Sequence, residues 1–93
     1  MEDVAVLVLM SLASEPKHGY SIQRDIARFA DRRLGPGTLY GAIARLEKAG
    51  LIEGLPNDDR RKPYAMTDHG RAELMKRLDA MRRVVREGER RLA

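Results

Sequence analysis

The chain has 93 residues, a net charge of +4 and a hydrophobic content of 43%, which is typical of one small folded domain and excludes a wholly disordered chain. A domain of this size buries little apolar surface, so we expect association with another chain to add to its stability. Arginine supplies 14 of the 18 basic residues. Because arginine favours bidentate contacts to phosphate and guanine, the charge favours a nucleic-acid partner; the competing explanation is solubility alone.

The absence of cysteine excludes disulfides, thiolate metal sites and cysteine nucleophiles. The apolar run at residues 4–10 is too short to cross a bilayer, and it follows Glu2 and Asp3 instead of the basic residues of a signal peptide. Two histidines, His18 and His69, have no paired carboxylate to complete a metal site, and no serine–histidine–acid constellation is present. We therefore expect a soluble cytoplasmic protein with no membrane partner, no metal, no cofactor, no catalytic residues and no enzymatic activity.

The first two predicted elements are helices. Residues 3–13 are apolar nearly all round; their length favours a buried helix over a strand. After a turn at residues 15–19, the segment 20–30 places Ile22, Ile26 and Phe29 at i, i+4 and i+7, which predicts a second, amphipathic helix. His18 is expected to stabilise the turn before it, and His69 to lie on the surface.

Residues 36–49 predict a third helix, which begins at Pro36 and stops before Gly50. Its apolar stripe faces one way, while the opposite face holds small residues and cations. The mid-helix Gly41 costs about 0.5–1 kcal/mol relative to alanine, a cost that close contact with a DNA groove would offset. We interpret this segment as a recognition helix. Contacts to base edges or phosphates are predicted for Gly37, Thr38, Arg45 and Lys48.

A short hairpin is predicted next, with strands at residues 51–55 and 62–66 around a turn-rich tip. Because Pro63 has no N–H, it should lie on an edge strand. The cations at the tip are available for phosphate contacts, although a solvated turn neutralised by neighbouring aspartates is the alternative. The predicted contacts are Arg60, Arg61 and Lys62.

Thr67 is expected to cap a final helix that runs from residue 68 to residue 92, with Asp68 in its favourable first turn. At about 1.5 Å per residue the helix would span roughly 37 Å, longer than it needs to cover its own core. Its apolar residues recur at heptad-like spacings, which predicts a dimer seam; the alternative is that they cover the first helix of the same domain. The seam residues are Leu74, Leu78, Met81, Val85 and Leu92.

Three helices followed by a hairpin are the parts of a winged helix-turn-helix. The expected fold is therefore mainly α with a small β-hairpin: a DNA-binding domain at residues 1–67 and a C-terminal dimerisation helix at residues 68–93. The segments 16–20, 36–40, 46–52 and 64–70 (PKHGY, PGTLY, LEKAGLI and YAMTDHG) resemble, in order and spacing, the PadR family of bacterial transcriptional regulators. The chain departs from that pattern at Gly35, where the family often has serine, at Pro63 and at the acidic pair Asp58 and Asp59.

The resemblance implies that Tyr20 and Tyr40 contact DNA and that the last helix dimerises. The expected function is a homodimeric repressor that binds a palindromic operator in double-stranded DNA, with half-sites about 34 Å apart. The alternative is a winged-helix protein-interaction module, or a DNA-binding subunit of a larger complex, but the recognition face lacks the large apolar residues of a protein-binding surface. Whether a small-molecule effector binds is left open, and none is identified. The last helix has no aromatic residue that could line a pocket for a stacked ligand.

Overall fold

Four helices and a two-stranded hairpin follow one another in the predicted order, in a computed structural model that describes residues 4–57 and 62–93. The mainly α fold with a small hairpin is thereby confirmed, and both strands are shorter than the sequence predicts. The elements are α1 (Val4–Ser14), α2 (Gly19–Ala30), α3 (Pro36–Lys48), β1 (Ile52–Gly54), β2 (Tyr64–Met66) and α4 (Asp68–Leu92).

The first helix, α1, lies at the centre of the fold and packs against α2, α3, α4 and β2. Val8 and Leu9 are fully buried, as are Ile22 and Ile26 of α2. Contact with four neighbouring elements explains why α1 is apolar nearly all round, since it has no broad face left for water. Within the described ranges, no helix is long and apolar enough to cross a membrane.

A polar cluster joins α1 to α2 at the edge of this core. Ser11 is 1% exposed, and its hydroxyl donates to Asp25 Oδ2 at 2.8 Å. Arg28 donates to Asp25 Oδ1 at 3.0 Å, and Lys17 Nζ lies 3.9 Å from Oδ2. Burial raises the pKa of Asp25, but the hydrogen bonds from Ser11 and Arg28 and the charges of Lys17 and Arg28 outweigh it and lower the pKa below its usual value. An ionised carboxylate therefore holds the two helices together.

The connection from α2 to α3 is short and well anchored. Asp31 ends α2 in the left-handed region, with φ of 52°. Leu34 is buried, and its carbonyl accepts a hydrogen bond of 2.5 Å from Gln23 Nε2. Gly35 is the N-cap of α3, and Pro36 occupies its first turn, as predicted from the missing N–H of proline.

The start of α4 docks closely onto the end of α3. Gly50 turns the chain with φ of 78°, and its carbonyl accepts a hydrogen bond of 2.7 Å from the Thr67 hydroxyl. The same Thr67 oxygen accepts from Gly70 N at 3.0 Å, which confirms the predicted cap. A Cβ on Gly70 would lie far inside van der Waals contact with the Leu51 carbonyl oxygen. Only glycine at residue 70 therefore allows α4 to approach the backbone of Leu51, between α3 and β1, this closely.

The hairpin is antiparallel, with Ile52 opposite Met66 and Gly54 opposite Tyr64. Just before β2, the carbonyl of Pro63 accepts from Leu55 N at 2.8 Å. On the far side of β2, Lys17 donates to the Tyr64 carbonyl at 3.0 Å, and Tyr64 N donates back at 2.8 Å. This backbone bridge, which the sequence did not predict, ties the hairpin to the turn before α2.

Candidate nucleic-acid interface

The outer face of α3 is uncovered by the rest of the described chain. Leu39, Ile43 and Leu46 point into the core and are at most 4% exposed. The opposite face consists of small or cationic residues together with one tyrosine. Its exposed members are Gly37, Thr38, Tyr40, Ala44, Arg45 and Lys48, with Gly41 half-buried among them.

The two glycines of this face are not required by packing inside the molecule. No described atom would lie within 4 Å of a Cβ on Gly37, apart from its immediate chain and helix neighbours. A Cβ on Gly41 would meet only Arg45 Nη1, at an ordinary 3.4 Å. Since glycine weakens a helix, the small residues make sense if an external surface comes close to the α3 backbone.

The N-terminal turn of α3 suits an anion. Gly35 supplies no side chain to cap the first N–H groups, and the first turn of α3 contains no acidic residue. Free N–H groups and the helix dipole favour a negative ligand at this end. Thr38 is exposed beside them, so a phosphate could receive both backbone and hydroxyl hydrogen bonds.

The cations of α3 are free, whereas its carboxylate is engaged. Arg45 and Lys48 form no ion pair with any residue in the described ranges, and both are exposed. Glu47 Oε2 instead lies 3.5 Å from Lys62 Nζ at the base of the hairpin. The wing lysine therefore neutralises the only acidic group of α3, which leaves a cationic outer face.

Of the predicted wing contacts, only Lys62 is described. Its side chain lies across Gly54, and Nζ is 5.8 Å from the centre of the Tyr64 ring. Together with the ion pair to Glu47, these contacts hold Lys62 along the base of the wing. Arg60 and Arg61 lie outside the described residues, as do the neighbouring Asp58 and Asp59.

Tyr20 and Tyr40 both lie at the boundary between α2 and α3. Tyr40 is 48% exposed, and its ring and hydroxyl press on Gly19, where a Cβ would overlap them. Tyr20 is 57% exposed, and the Arg24 guanidinium carbon lies 5.6 Å from its ring centre. The two tyrosines thus combine packing with accessible surface, and Tyr40 belongs to the exposed face of α3.

Neither histidine belongs to a metal site among the described residues, where no three His, Asp or Glu side chains lie together so that they could hold a metal ion. His69 is exposed. His18 is the N-cap of α2, and its carbonyl accepts from Ile22 N at 3.0 Å, but its side chain forms no cap bond. Its Nδ1 is buried without a hydrogen-bond partner in the described part of the chain.

The predicted seam of α4 divides into two parts. Leu74 is 6% exposed, and Leu78 and Met81 pack against the same core, so these three residues cover their own domain. Val85 and Leu92 are 56% and 89% exposed. Two further exposed apolar residues, Met75 and Val84, did not belong to the predicted seam.

An exposed helix with a small cationic face, next to a hairpin and supported by two further helices, defines a winged helix-turn-helix DNA-binding protein. A sequence model described as "Transcriptional regulator PadR-like family" matches residues 8–76. The chain belongs to this family of DNA-binding transcriptional regulators, which are not enzymes.

Three relatives illustrate the likeness. A PadR family transcription regulator from Clostridium difficile R20291 superposes with a TM-score of 0.87 over 97% of this chain and 98% of its own, at 23% identity. RosR from H. salinarum gives 0.76 over 87% and 74%, at 25% identity. An uncharacterized 37.1 kDa protein in transposon TN4556 of Streptomyces fradiae is 43% identical over 82 residues, 88% of this chain. The chain spans only 24% of that protein.

Proposed function

We propose that this protein is a homodimeric repressor that binds a palindromic operator through α3 and the wing. The observation that carries the proposal is the bare outer face of α3, with free Arg45 and Lys48 and with glycines that packing does not require. A face of this kind fits the major groove, where base edges present a distinguishable pattern of donors and acceptors. Apart from Tyr40, it lacks the large apolar side chains that a protein-binding surface would expose.

In this arrangement the N-terminal turn of α3 binds a phosphate and sets the position of the helix. Arg45 lies two turns further along, where its guanidinium can donate to guanine O6 and N7. Tyr40 and Tyr20 contact the adjacent backbone, and Lys48 and the wing cations add phosphate contacts. Phosphate contacts supply affinity and base contacts supply sequence preference.

The second copy binds through α4. The exposed Val85 and Leu92 lie beyond the part of α4 that covers its own core, and Val84 adds to this apolar surface. Pairing of two such helices would bury these residues and present two copies of α3 to successive major grooves about 34 Å apart. A dimer bound over a promoter represses transcription because it excludes polymerase, and this mechanism needs no catalysis. A repressor of this kind acts in the cytoplasm.

Selection of bound fragments from random duplex DNA, followed by a mass measurement of the complex, tests the proposal. We expect a palindrome with half-sites one helical turn apart and two chains on each duplex. An asymmetric site occupied by a single chain would contradict the dimer. Failure to retain any duplex at low salt would contradict DNA binding by this chain.

Substitution of Arg45 tests its assignment to base contacts. Arg45→Ala should weaken binding to the selected operator by about 1–3 kcal/mol and relax the base preference at one position in each half-site. Arg82→Ala is the matched control, because it removes the same charge from an arginine that pairs with Asp79 at 2.6 Å. Arg60→Ala should weaken binding to all duplexes and flatten the salt dependence. Equal losses on operator and random DNA for Arg45→Ala would overturn the assignment.

A further inference from the structure

The backbone that follows α3 stays hydrogen-bonded to this helix as far as Leu51. Gly50 N donates to the Glu47 carbonyl and Leu51 N donates to the Leu46 carbonyl, both at 3.0 Å. Gly50 allows this reversal because its φ of 78° lies in the left-handed region, which glycine adopts without strain. The carbonyls of Gly50 and Leu51 are therefore held in a fixed position relative to α3.

Both of these carbonyls bind Thr67, the N-cap of α4. The Thr67 hydroxyl donates to the Gly50 carbonyl at 2.7 Å, and Thr67 N donates to the Leu51 carbonyl at 3.1 Å. The hydroxyl oxygen also accepts from Gly70 N, in the first turn of α4, at 3.0 Å. The end of α3 is thus bonded directly to the start of α4 at what we call the α3–α4 junction: Gly50, Leu51, Thr67 and Gly70.

The α3–α4 junction fixes the direction of α4 more strictly than the core does. A Cβ on Gly70 would overlap the Leu51 carbonyl oxygen, so α4 already lies as close to this backbone as it can. Further along α4, Leu74 and Leu78 pack against the core. Apolar contacts of this kind are not directional, whereas the hydrogen bonds of Thr67 are. The angle between α3 and α4 therefore depends on Thr67.

The long α4 helix carries this angle to the surface where the second copy is proposed to bind. At about 1.5 Å per residue Val85 lies about 22 Å from Gly70, so a tilt of about 5° at the junction would displace Val85 by about 2 Å. In a two-fold dimer the same tilt occurs in both chains. One base pair corresponds to about 3.4 Å of duplex and a rotation of about 36°. The angle at the junction therefore affects which separation of half-sites a dimer can bind.

We propose that Thr67 is a specificity-determining residue: it fixes the angle between α3 and α4 and thereby the separation of half-sites that the dimer accepts. Thr67 acts as a positioning residue, through the orientation of α3, and not through a contact to DNA. The proposal rests on the proposed function, in which α4 binds the second copy and α3 enters the major groove. It extends that function from the choice of bases to the distance between half-sites.

The test compares the affinity of the full chain for the selected palindrome with its affinity for the same palindrome lengthened by one base pair between the half-sites. We expect the wild type to bind the lengthened site more weakly. T67D is the informative variant, because aspartate caps a helix as well as threonine does but its ionised carboxylate cannot donate to the Gly50 carbonyl. T67D should lower the ratio of the two affinities about fivefold, the factor that corresponds to one typical hydrogen bond.

Three further variants separate positioning from charge and from general destabilisation. T67V keeps the shape of threonine without its hydroxyl, so it should lower the ratio without adding a charge. T67S keeps a hydroxyl that can donate to Gly50 and accept from Gly70, so it should retain the wild-type ratio. S11A removes the hydrogen bond from Ser11 to Asp25, which joins α1 to α2 instead of α3 to α4, and should lower stability without changing the ratio. Thermal unfolding shows whether each variant is folded.

The outcomes separate this proposal from the proposed function. A wild-type chain that binds no duplex, or binds it as a single copy, removes both. A wild-type dimer that binds both sites equally well, or one whose preference T67D and T67V leave unchanged, removes only the role of Thr67. An equal decrease in the ratio for S11A would show that lower stability, and not the α3–α4 junction, relaxes the spacing, and would also overturn the proposal.

Discussion

Helices α3 and α4 both carry exposed arginines, but they differ in how those charges are compensated. In α4, Arg77 donates to Glu73 at 2.9 Å, and Arg82 donates to Asp79 at 2.6 Å. The hydrogen bond from Arg77 also lowers the pKa of Glu73. In α3, Arg45 has no carboxylate partner in the described chain. The number of arginines is therefore a poor guide to a DNA-binding surface, and so is pairing alone, since Arg83 and Arg86 of α4 also lack a carboxylate partner in the described chain. The α3 face differs from α4 because its free arginine lies among glycines that packing does not require.

The two helices also differ in how they use glycine. Gly37 and Gly41 of α3 lie on the exposed face, where nothing in the described fold requires a missing side chain. Gly70 of α4 is buried against the Leu51 carbonyl, where the fold does require it. We propose that the α3 glycines make room for an external partner, whereas Gly70 makes room for the chain itself.

The largest expected effect is on the free energy of unfolding, when a methyl group is added at the buried Gly70. Gly70→Ala places a methyl group on the Leu51 carbonyl oxygen, which is backbone and can move little, and so pushes α4 away from the end of α3. We expect a loss of about 3 kcal/mol or more in the free energy of unfolding, as for other overpacked sites. Urea denaturation followed by circular dichroism measures it.

Gly88→Ala is the control for this change. Gly88 is exposed near the C-terminal end of α4, and no described atom would contact its added methyl group. Alanine should therefore stabilise the helix by about 0.5–1 kcal/mol. Equal stabilities for the two variants would mean that α4 does not dock through Gly70.

Smaller effects are expected at Gly41 on the outer face of α3, with an increase in stability and a decrease in affinity for DNA. Gly41→Ala should stabilise the free protein by about 0.5–1 kcal/mol, because alanine is the better helix former and meets only Arg45 Nη1 at 3.4 Å. The same methyl group should weaken duplex binding by about 1 kcal/mol, since it stands on the face that we propose approaches DNA. Thermal unfolding and fluorescence anisotropy measure the two effects.

If Gly41→Ala stabilised the protein and left the affinity for duplex unchanged, α3 would not approach DNA with this face. If it destabilised the free protein, the glycine would have an internal role that its surroundings do not indicate.

Local sequence patterns predicted much of the fold. The bounds of α4 follow from the Thr67 cap and the apolar spacing, and those of α3 follow from Pro36 and Gly50. Each of these features depends on bonds between residues that are close in the sequence, so a local residue pattern predicts it. The exposed face of α3 could be predicted for the same reason, because the helical period places its small and cationic residues on one side.

The missed features depend on contacts between distant residues. The backbone bridge between Lys17 and Tyr64 uses main-chain groups that every residue has, so no side-chain pattern indicates it. Heptad spacing identified an apolar seam in α4 but not what covers it, and Leu74 packs into its own core. The ion pair from Glu73 to Arg77 could have been predicted, since the two residues are four apart on a helix.

The central claim is that the small face of α3 is covered when duplex DNA binds. Because the chain contains no cysteine, a single introduced thiol reports on one position. Ala44 of α3 and Ala80 of α4 are both exposed, which makes A44C and A80C a matched pair. We expect saturating duplex DNA to slow alkylation strongly in A44C and to leave it unchanged in A80C. An A44C variant that binds duplex yet is alkylated equally fast with and without it would contradict the account.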